Sequence, residues 1–240
     1  MAFAAEHYGR DYFERLHPRR WFTNPPRKYE ERSRDALRVV DPRPGDLVVE
    51  LGCARGDVTF LLAGRCREVI GVDASAVALG MAEAERARRG VRNVRWLRAD
   101  VADLSPLATA SADAVAAIDL VEHVDDATLA AMLGECRRIL RPGGRLGIYT
   151  PDRLHYVERL KAHDVVLKQF PEHIAVRRTS DYLRLLASAG FTVDLAAWSV
   201  SPFPLVRRVE RALAPLPLVG PTFRYRILLR ALSPGGAPAA

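Results

Sequence analysis

Four short stretches of the chain carry side chains that could do chemistry. The first, Glu50-Leu51-Gly52-Cys53-Ala54-Arg55-Gly56, is an acid followed by a glycine-spaced turn, and glycines there let the backbone pass close to a ligand with no Cβ in the way. A second acid, Asp73, stands before Ala74 at about the twenty-residue spacing that brings a carboxylate to sugar hydroxyls in doubly wound folds. Asp100-Val101 forms the third stretch, and Asp119-Leu120-Val121-Glu122-His123-Val124 the fourth. His123 is the candidate general base, because an imidazole accepts a proton near neutral pH. Taken singly, each acid could equally cap a helix or sit solvated in a loop, and His123 could cap or pack the helix that follows it.

The glycine turn also excludes one class of ligand. A dinucleotide fingerprint requires G-x-G-x-x-G so that a pyrophosphate can rest on the helix N-terminus. Here the third position is Ala54 and the sixth is Asp57, an acid where the pyrophosphate charge would lie. Glu122, His123, Asp152 and His155 could together offer oxygen and nitrogen to a metal, but no tight ligand spacing supports this, and no metal is expected.

The positions of these residues depend on the elements that carry them. Apolar runs at Leu47–Leu51, Glu68–Val72, Val94–Leu97, Ala114–Ile118 and Arg145–Tyr149 read as strands, and Asp57–Arg65, Ser75–Arg89 and Ala127–Leu140 as intervening helices. Lys28–Val40 reads as a helix ahead of them, and Thr179–Ala189 as one behind. Phe191–Val200 and a period-two segment from Phe223 to Arg230 give two final strands. The latter places Phe223, Tyr225, Ile227 and Leu229 on one face and three arginines on the other. Between them Leu205, Val206, Val209 and Leu213 make an apolar helical stripe opposite Arg207, Arg208 and Arg211. Alternating strands and helices predict a doubly wound, Rossmann-like α/β fold with helices on both faces of a mostly parallel sheet, and a ligand crevice at the carboxyl ends of its strands.

In this order the motifs resemble those of the class I S-adenosylmethionine-dependent methyltransferases, in particular small-molecule O-methyltransferases of the ubiquinone-biosynthesis type. The resemblance runs from Lys28 to Val200. It rests on the acid and glycines of Glu50–Gly56, Asp73 after the second strand, Arg98-Ala99-Asp100-Val101 after the third, the Glu122-His123 segment, and Leu140-Arg141-Pro142-Gly143-Gly144 leading into the fifth strand. Ala54 departs from the family's middle glycine. The resemblance implies a seven-stranded sheet with its last strand antiparallel, and S-adenosylmethionine bound by Glu50, Gly52, Cys53, Ala54, Gly56, Asp73, Ala74, Asp100, Val101 and Asp119. The cofactor has an ammonium and a sulfonium and no phosphate, which suits acids at the turn. Methyl transfer to a hydroxyl is an in-line displacement that needs alignment and one base, which His123 would supply. His155 and His173 lie on segments that border the acceptor in relatives, where packing or surface roles compete. Asn24-Pro25-Pro26-Arg27 differs from the Asn/Asp-Pro-Pro-aromatic motif of base amino-methyltransferases in ending on arginine and in preceding the first strand. A nicotinamide-dependent oxidoreductase and a noncatalytic methyltransferase-like module remain alternatives.

Composition limits the setting. Of 240 residues 49% are hydrophobic and 27% charged, as in ordinary folded proteins. Three scattered cysteines give no disulfide framework or zinc pair. The early His7, Arg10 and Asp11 interrupt any signal-like apolar stretch. A reducing, cytoplasmic location follows as the expectation. The net charge is +7, and most of the excess lies after Ser201, where six arginines face the single acid Glu210. One basic face is implied rather than a nucleic-acid binder. It could be a solvated surface, a site for an anionic acceptor, or a region of peripheral contact with membrane beside Leu216, Leu218 and Val219, in which case a lipid-linked acceptor would fit. The expected organisation is an N-terminal helical lid over residues 1–45, with Tyr8, Tyr12, Phe13 and Trp21 as its aromatics. A cofactor-binding core over 46–200, an inserted helix and final strand over 201–232, and a disordered tail over 233–240 complete it.

Overall fold

A strand buried at every position must be covered on both faces. In the computed structural model, which describes residues 26–163 and 173–235, β1 (Leu47–Leu51) is such a strand. It lies third in a seven-stranded sheet with β2 (Glu68–Asp73), β3 (Val94–Arg98), β4 (Ala112–Ile118), β5 (Leu140–Pro151), β6 (Thr192–Ser199) and β7 (Arg226–Leu232). The strand order is β3-β2-β1-β4-β5-β7-β6. Neighbours from β3 to β5 pair in parallel, and β7 runs antiparallel to both β5 and β6. The chain proceeds outward from β1 through β2 to β3 and then returns to the other side of β1 with β4. That reversal opens a crevice at the carboxyl ends of β1 and β4.

Alternate residues of each strand serve opposite layers. Val49, Leu51, Val115, Ala117, Leu146 and Ile148 pack against α4 (Asp126–Ile139) and α6 (Thr179–Ser188), while Val48, Ala114, Ala116 and Ile118 meet α1 (Pro26–Val40) and α2 (Asp57–Ala63). The helix α3 (Ala76–Arg89) flanks β2 and β3, with Ser75 as its N-cap accepting from the Ala78 amide at 3.2 Å. The expected helices and strands ahead of β5 are present with small shifts at their ends, while β5 begins five residues before the expected Arg145, at Leu140. A further short helix, α5 (Tyr156–Ala162), follows β5.

α1 belongs to the packed domain. Ala36, Val39 and Val40 are fully enclosed, and a Cβ on Gly147 of β5 would stand 2.8 Å from the Val39 carbonyl. The aromatic lid residues Tyr8, Tyr12, Phe13 and Trp21, together with Asn24 and Pro25, lie outside the described residues. So does the end of the chain beyond residue 235. Ser233 is tied to the sheet by its amide, which donates to Gly144 O at 2.8 Å.

Two expectations about the C-terminal region are corrected. β7 begins at Arg226, with Phe223 in a 3-10 turn (Gly220–Phe223) before it, and it has no open arginine face. It lies between β5 and β6, so Ile227, Leu229 and Ala231 fill one layer and Leu228 the other. The inserted helix, α7 (Pro204–Leu213), is present but rotated from the expected stripe, with Val206 and Leu213 half-buried and Arg208 and Arg211 exposed. Its polar residues Arg207 and Glu210 are buried, while Leu205 and Val209 are 78% and 53% exposed. Specific partners inside the protein account for this. Arg207 pairs with Glu31 of α1, and the Glu210 carboxylate accepts from the Tyr156 hydroxyl at 2.8 Å and from the Ser201 amide.

The contact between Gly147 and α1 yields a test. Gly147→Ala should lower stability by about 2 kcal/mol, as overpacking against backbone does, read as a drop in both thermal and denaturant midpoints. An unchanged midpoint would show that α1 does not bear on β5.

Candidate active site

The turn after β1 is shaped by three residues with positive φ: Gly52 at 65°, Ala54 at 47° and Gly56 at 84°. Conformation favours glycine at the first and third, and space is tight at both. A Cβ on Gly52 would lie 2.7 Å from Leu120 Cδ1, and one on Gly56 would lie 2.8 Å from the Trp96 ring. Ala54 adopts the left-handed conformation with a side chain, at a cost of about 1 kcal/mol. Hydrogen bonds hold it there. The Ala54 amide donates to Asp73 Oδ2 at 2.9 Å, the Ser75 amide to Asp73 Oδ1 at 2.8 Å, and the Cys53 amide to Val72 O at 3.0 Å. Asp73 thus clasps the turn to the end of β2, with Ala74 exposed beside it. Burial raises its carboxyl above the usual range against the pull of those two amides.

Glu50 is buried within β1 and accepts a hydrogen bond from the Thr59 hydroxyl of α2. Burial pushes its pKa to about 8 despite Thr59 and Arg32, so it is largely a neutral carboxyl at neutral pH. Burial and Glu50 likewise push the Cys53 thiol up, leaving no thiolate there. Past β3, Asp100 is exposed and accepts from the Ala102 amide at 2.9 Å, while Val101 packs against the core.

Charge concentrates past β4. Asp119 has φ of 53°, and its amide donates to Tyr149 O of β5 at 2.8 Å. Arg32 of α1 donates its Nε to Asp119 Oδ2 at 2.6 Å, and Arg226 Nη1 of β7 lies 3.2 Å from Oδ1. Burial opposes ionisation, but Arg226 and Arg32 overcome it and hold the pKa at about 2. Glu122, enclosed nearby, accepts from the Thr150 hydroxyl at 2.9 Å. Burial and Asp119 push it up to about 8, against Arg226. Burial and Arg226 also lower Lys28 to about 8.

His123 closes the 3-10 turn Val121–His123, and its ring meets that of His173 edge-on with centroids 4.9 Å apart. Burial, His123 and Arg226 push His173 down to about 3, so it is neutral. Arg177 fixes this turn from behind. Its Nη1 donates to Val121 O at 2.8 Å, Nη2 to Val124 O at 2.9 Å, and Nε to Asp126 at 2.8 Å.

The structure regroups the oxygen and nitrogen donors. Glu122, His123 and His173 have ligand atoms within 4.8 Å of one another. Asp152 instead accepts from the Thr179 hydroxyl at 2.8 Å. His155 is fully buried as the N-cap of α5, 3.2 Å from Glu210, where it packs the protein. Arg32, Arg177 and Arg226 are site residues that the sequence did not single out. Each acts across the fold, and no local pattern distinguishes them from the solvated arginines around them.

A family model described as a methyltransferase domain matches residues 48–144. A probable S-adenosylmethionine-dependent methyltransferase of Mycolicibacterium smegmatis is 33% identical over 157 residues, which are 65% of this chain and 56% of that protein. The ubiquinone biosynthesis O-methyltransferase of Hahella chejuensis is 28% identical over 167 residues, 68% of this chain and 65% of its own length. Over residues 48–144 the core is similar to methyltransferase domains. The chain thus spans less than two thirds of either relative. Among solved structures, a methyltransferase from Bacillus halodurans described as putative has a TM-score of 0.63 at 17% identity, covering 84% of this chain and 98% of that one. Geranyl diphosphate C-methyltransferase from Streptomyces coelicolor, in complex with Mg2+, geranyl diphosphate and S-adenosyl-L-homocysteine, has 0.62 at 19%, covering 85% and 78%. These two likenesses show the fold.

The Mycolicibacterium smegmatis relative is named for its dependence on S-adenosylmethionine, and the residues at this turn suit that cofactor. Asp119 Oδ1 and Arg226 Nη1 are buried and lie 3.2 Å apart as an ion pair without hydrogen-bond alignment, and beside the turn such a carboxylate suits an ammonium and such a guanidinium an anionic group. A nicotinamide dinucleotide suits them less, since Asp57 opens α2 where the pyrophosphate would lie.

Two outcomes follow for this site. Ala54→Gly should relieve the turn and raise stability by roughly 1 kcal/mol, measured by denaturant unfolding; destabilisation would show that the Ala54 methyl packs usefully. Asp119→Asn should cost about 2 kcal/mol at neutral pH. The depressed pKa makes Asp119's contribution complete above about pH 4 and lost as pH falls towards 2. The gap between wild type and variant should therefore close over that window, and a gap independent of pH would rule out the Asp119 charge as its source.

Proposed function

We propose that this chain methylates a hydroxyl group of a small organic acceptor, with S-adenosylmethionine as donor and His123 as general base. The observation that carries the reading is the position of His123, one 3-10 turn past Asp119 at the carboxyl end of β4, in a core similar to methyltransferase domains. The relative named as a ubiquinone biosynthesis O-methyltransferase favours oxygen as the methyl-accepting atom.

The roles follow from the chemistry of each group. The backbone from Gly52 to Gly56, with Cys53 and Ala54, approaches the ligand closely, and Asp73 beside Ala74 accepts from ribose hydroxyls. Asp100 accepts from the adenine amino group while the Val101 amide donates to the ring. Asp119 and Glu50 balance cationic charge, a nearby ammonium drawing the Glu50 carboxyl back towards its ionised form. Arg32 offers its guanidinium to a carboxylate. When bound, the cofactor supplies a methyl group made electrophilic by its sulfonium. His123 then takes the acceptor's hydroxyl proton on an imidazole nitrogen, and the neutral His173 ring against it avoids the repulsion that a second imidazolium would impose. Arg177 holds the turn so that His123 keeps its aim. Arg226 and Lys28 favour an acceptor bearing negative charge.

Calorimetry with S-adenosylhomocysteine tests the donor site: micromolar-range affinity is expected, weakened at least about tenfold by Asp73→Ala. No detectable binding would defeat the whole reading. Transfer of label from methyl-tritiated donor into a cell metabolite extract tests the chemistry. His123→Ala should slow it by about a hundredfold or more with cofactor affinity unchanged, and equal rates would remove His123 from the mechanism. Cofactor binding with no transfer into any fraction would make the chain a noncatalytic module.

A further inference from the structure

The rotated helix α7 leaves an apolar surface facing water. Leu205 is 78% exposed and Val209 53%, and the chain after the helix adds Leu216 at 44%, Leu218 at 93% and Val219 at 45%. Side chains of this size seldom gather on the outside of a protein without a partner. The polar residues that would normally face out, Arg207 and Glu210, are used inside, against Glu31, Tyr156 and Ser201. The outward face is thus fixed by buried ion pairs and hydrogen bonds, and α7 cannot roll over to hide Leu205 and Val209 without breaking them.

Charge narrows what this surface can meet. Arg208 and Arg211 are exposed on the same helix, and from Ser201 to the end of the chain the one acid is Glu210, which is buried. Exposed aliphatic side chains bordered by arginine, with no exposed acid among them, match an anionic bilayer, where the leucines enter the acyl boundary and the guanidiniums meet lipid phosphates. A second copy of this chain fits poorly, because a two-fold contact would bring together two copies of the same arginine-bearing surface with no exposed acid from this region to pair it.

We infer that α7 and the following segment to Val219 form a docking surface for anionic membranes, by which the protein attaches peripherally to a lipid bilayer. No helix among the described residues is long and apolar enough to cross one, so attachment is from one side. The buried face of α7 rests on α1 through Glu31 and on α5 through Tyr156. α7 therefore stands between the bilayer and the helix that carries Lys28 and Arg32. The inference concerns binding alone and stands independently of the reaction proposed above.

Sedimentation of the full chain with vesicles tests it. The protein should pellet with vesicles of phosphatidylcholine mixed with an equal part of phosphatidylglycerol, weakly with phosphatidylcholine alone, and less as salt rises. Leu205→Asp combined with Leu218→Asp should lower partitioning about tenfold or more, and Arg208→Glu with Arg211→Glu should abolish the preference for phosphatidylglycerol. These positions are exposed, so the thermal midpoint and S-adenosylhomocysteine binding should stay as in the wild type, which separates lost docking from lost folding. Failure of the wild type to pellet with anionic vesicles, or equal pelleting by the leucine variant, would overturn the inference. So would a lipid-free dimer that the leucine variant dissociates, which would assign the surface to contacts between copies.

Discussion

The carboxylate of Asp119 is the constraint on which the site depends. It stands in a backbone conformation that a non-glycine residue rarely takes, and two guanidiniums from remote parts of the chain, Arg32 and Arg226, converge on it. Through this one acid the N-terminal helix, the end of β4 and the start of β7 are held together. The site's other charges adjust to it. Burial and Asp119 raise Glu122, burial and Arg226 depress Lys28, burial with His123 and Arg226 depresses His173, and the outcome is a site in which Asp119 is ionised while Glu122 and His173 are neutral near neutral pH. Groups pushed in opposite directions within one crevice are the usual arrangement where acid and base chemistry is prepared.

The same economy governs the turn after β1. Ala54 and Asp119 both hold positive φ at the carboxyl ends of adjacent strands, and surrounding hydrogen bonds keep both in place. Strain held at strand ends by over-determined packing is typical of binding sites. Asp73 shows how a single side chain can serve the scaffold and the ligand site together. Its two oxygens each accept one backbone amide, which orients the carboxylate and leaves its remaining lone pairs available.

In the C-terminal region, arginines that look alike in sequence have quite different environments. Arg226 enters the site, Arg207 pairs with Glu31, Arg224 stacks over Trp198 at 4.2 Å, and Arg208 and Arg211 remain exposed. Burying Arg207 and Glu210 rotates α7 and displays Leu205 and Val209. A local preference for hiding leucine thus yields to the larger penalty for leaving buried charges unpaired.

The sequence alone determined the order of strands and helices, the doubly wound class of fold, the glycine turn and the acids at strand ends, because each is written in local spacing: periods of two and 3.6 residues, glycines at tight turns, acids following apolar runs. Glu50, Asp73, Asp100, Asp119 and His123 stand at or near the strand ends that this spacing marks, while the roles proposed for them rest on the resemblance to methyltransferases. Tertiary structure decided which groups meet. Local spacing does not reveal that Arg32 would reach Asp119, that Arg177 would grip the turn carrying His123, that His173 rather than His155 would face His123, or that α7 would point Leu205 and Val209 outward. These outcomes depend on sheet order and on electrostatics between distant residues, where burial raises the worth of a partner and sets the destination of every charge.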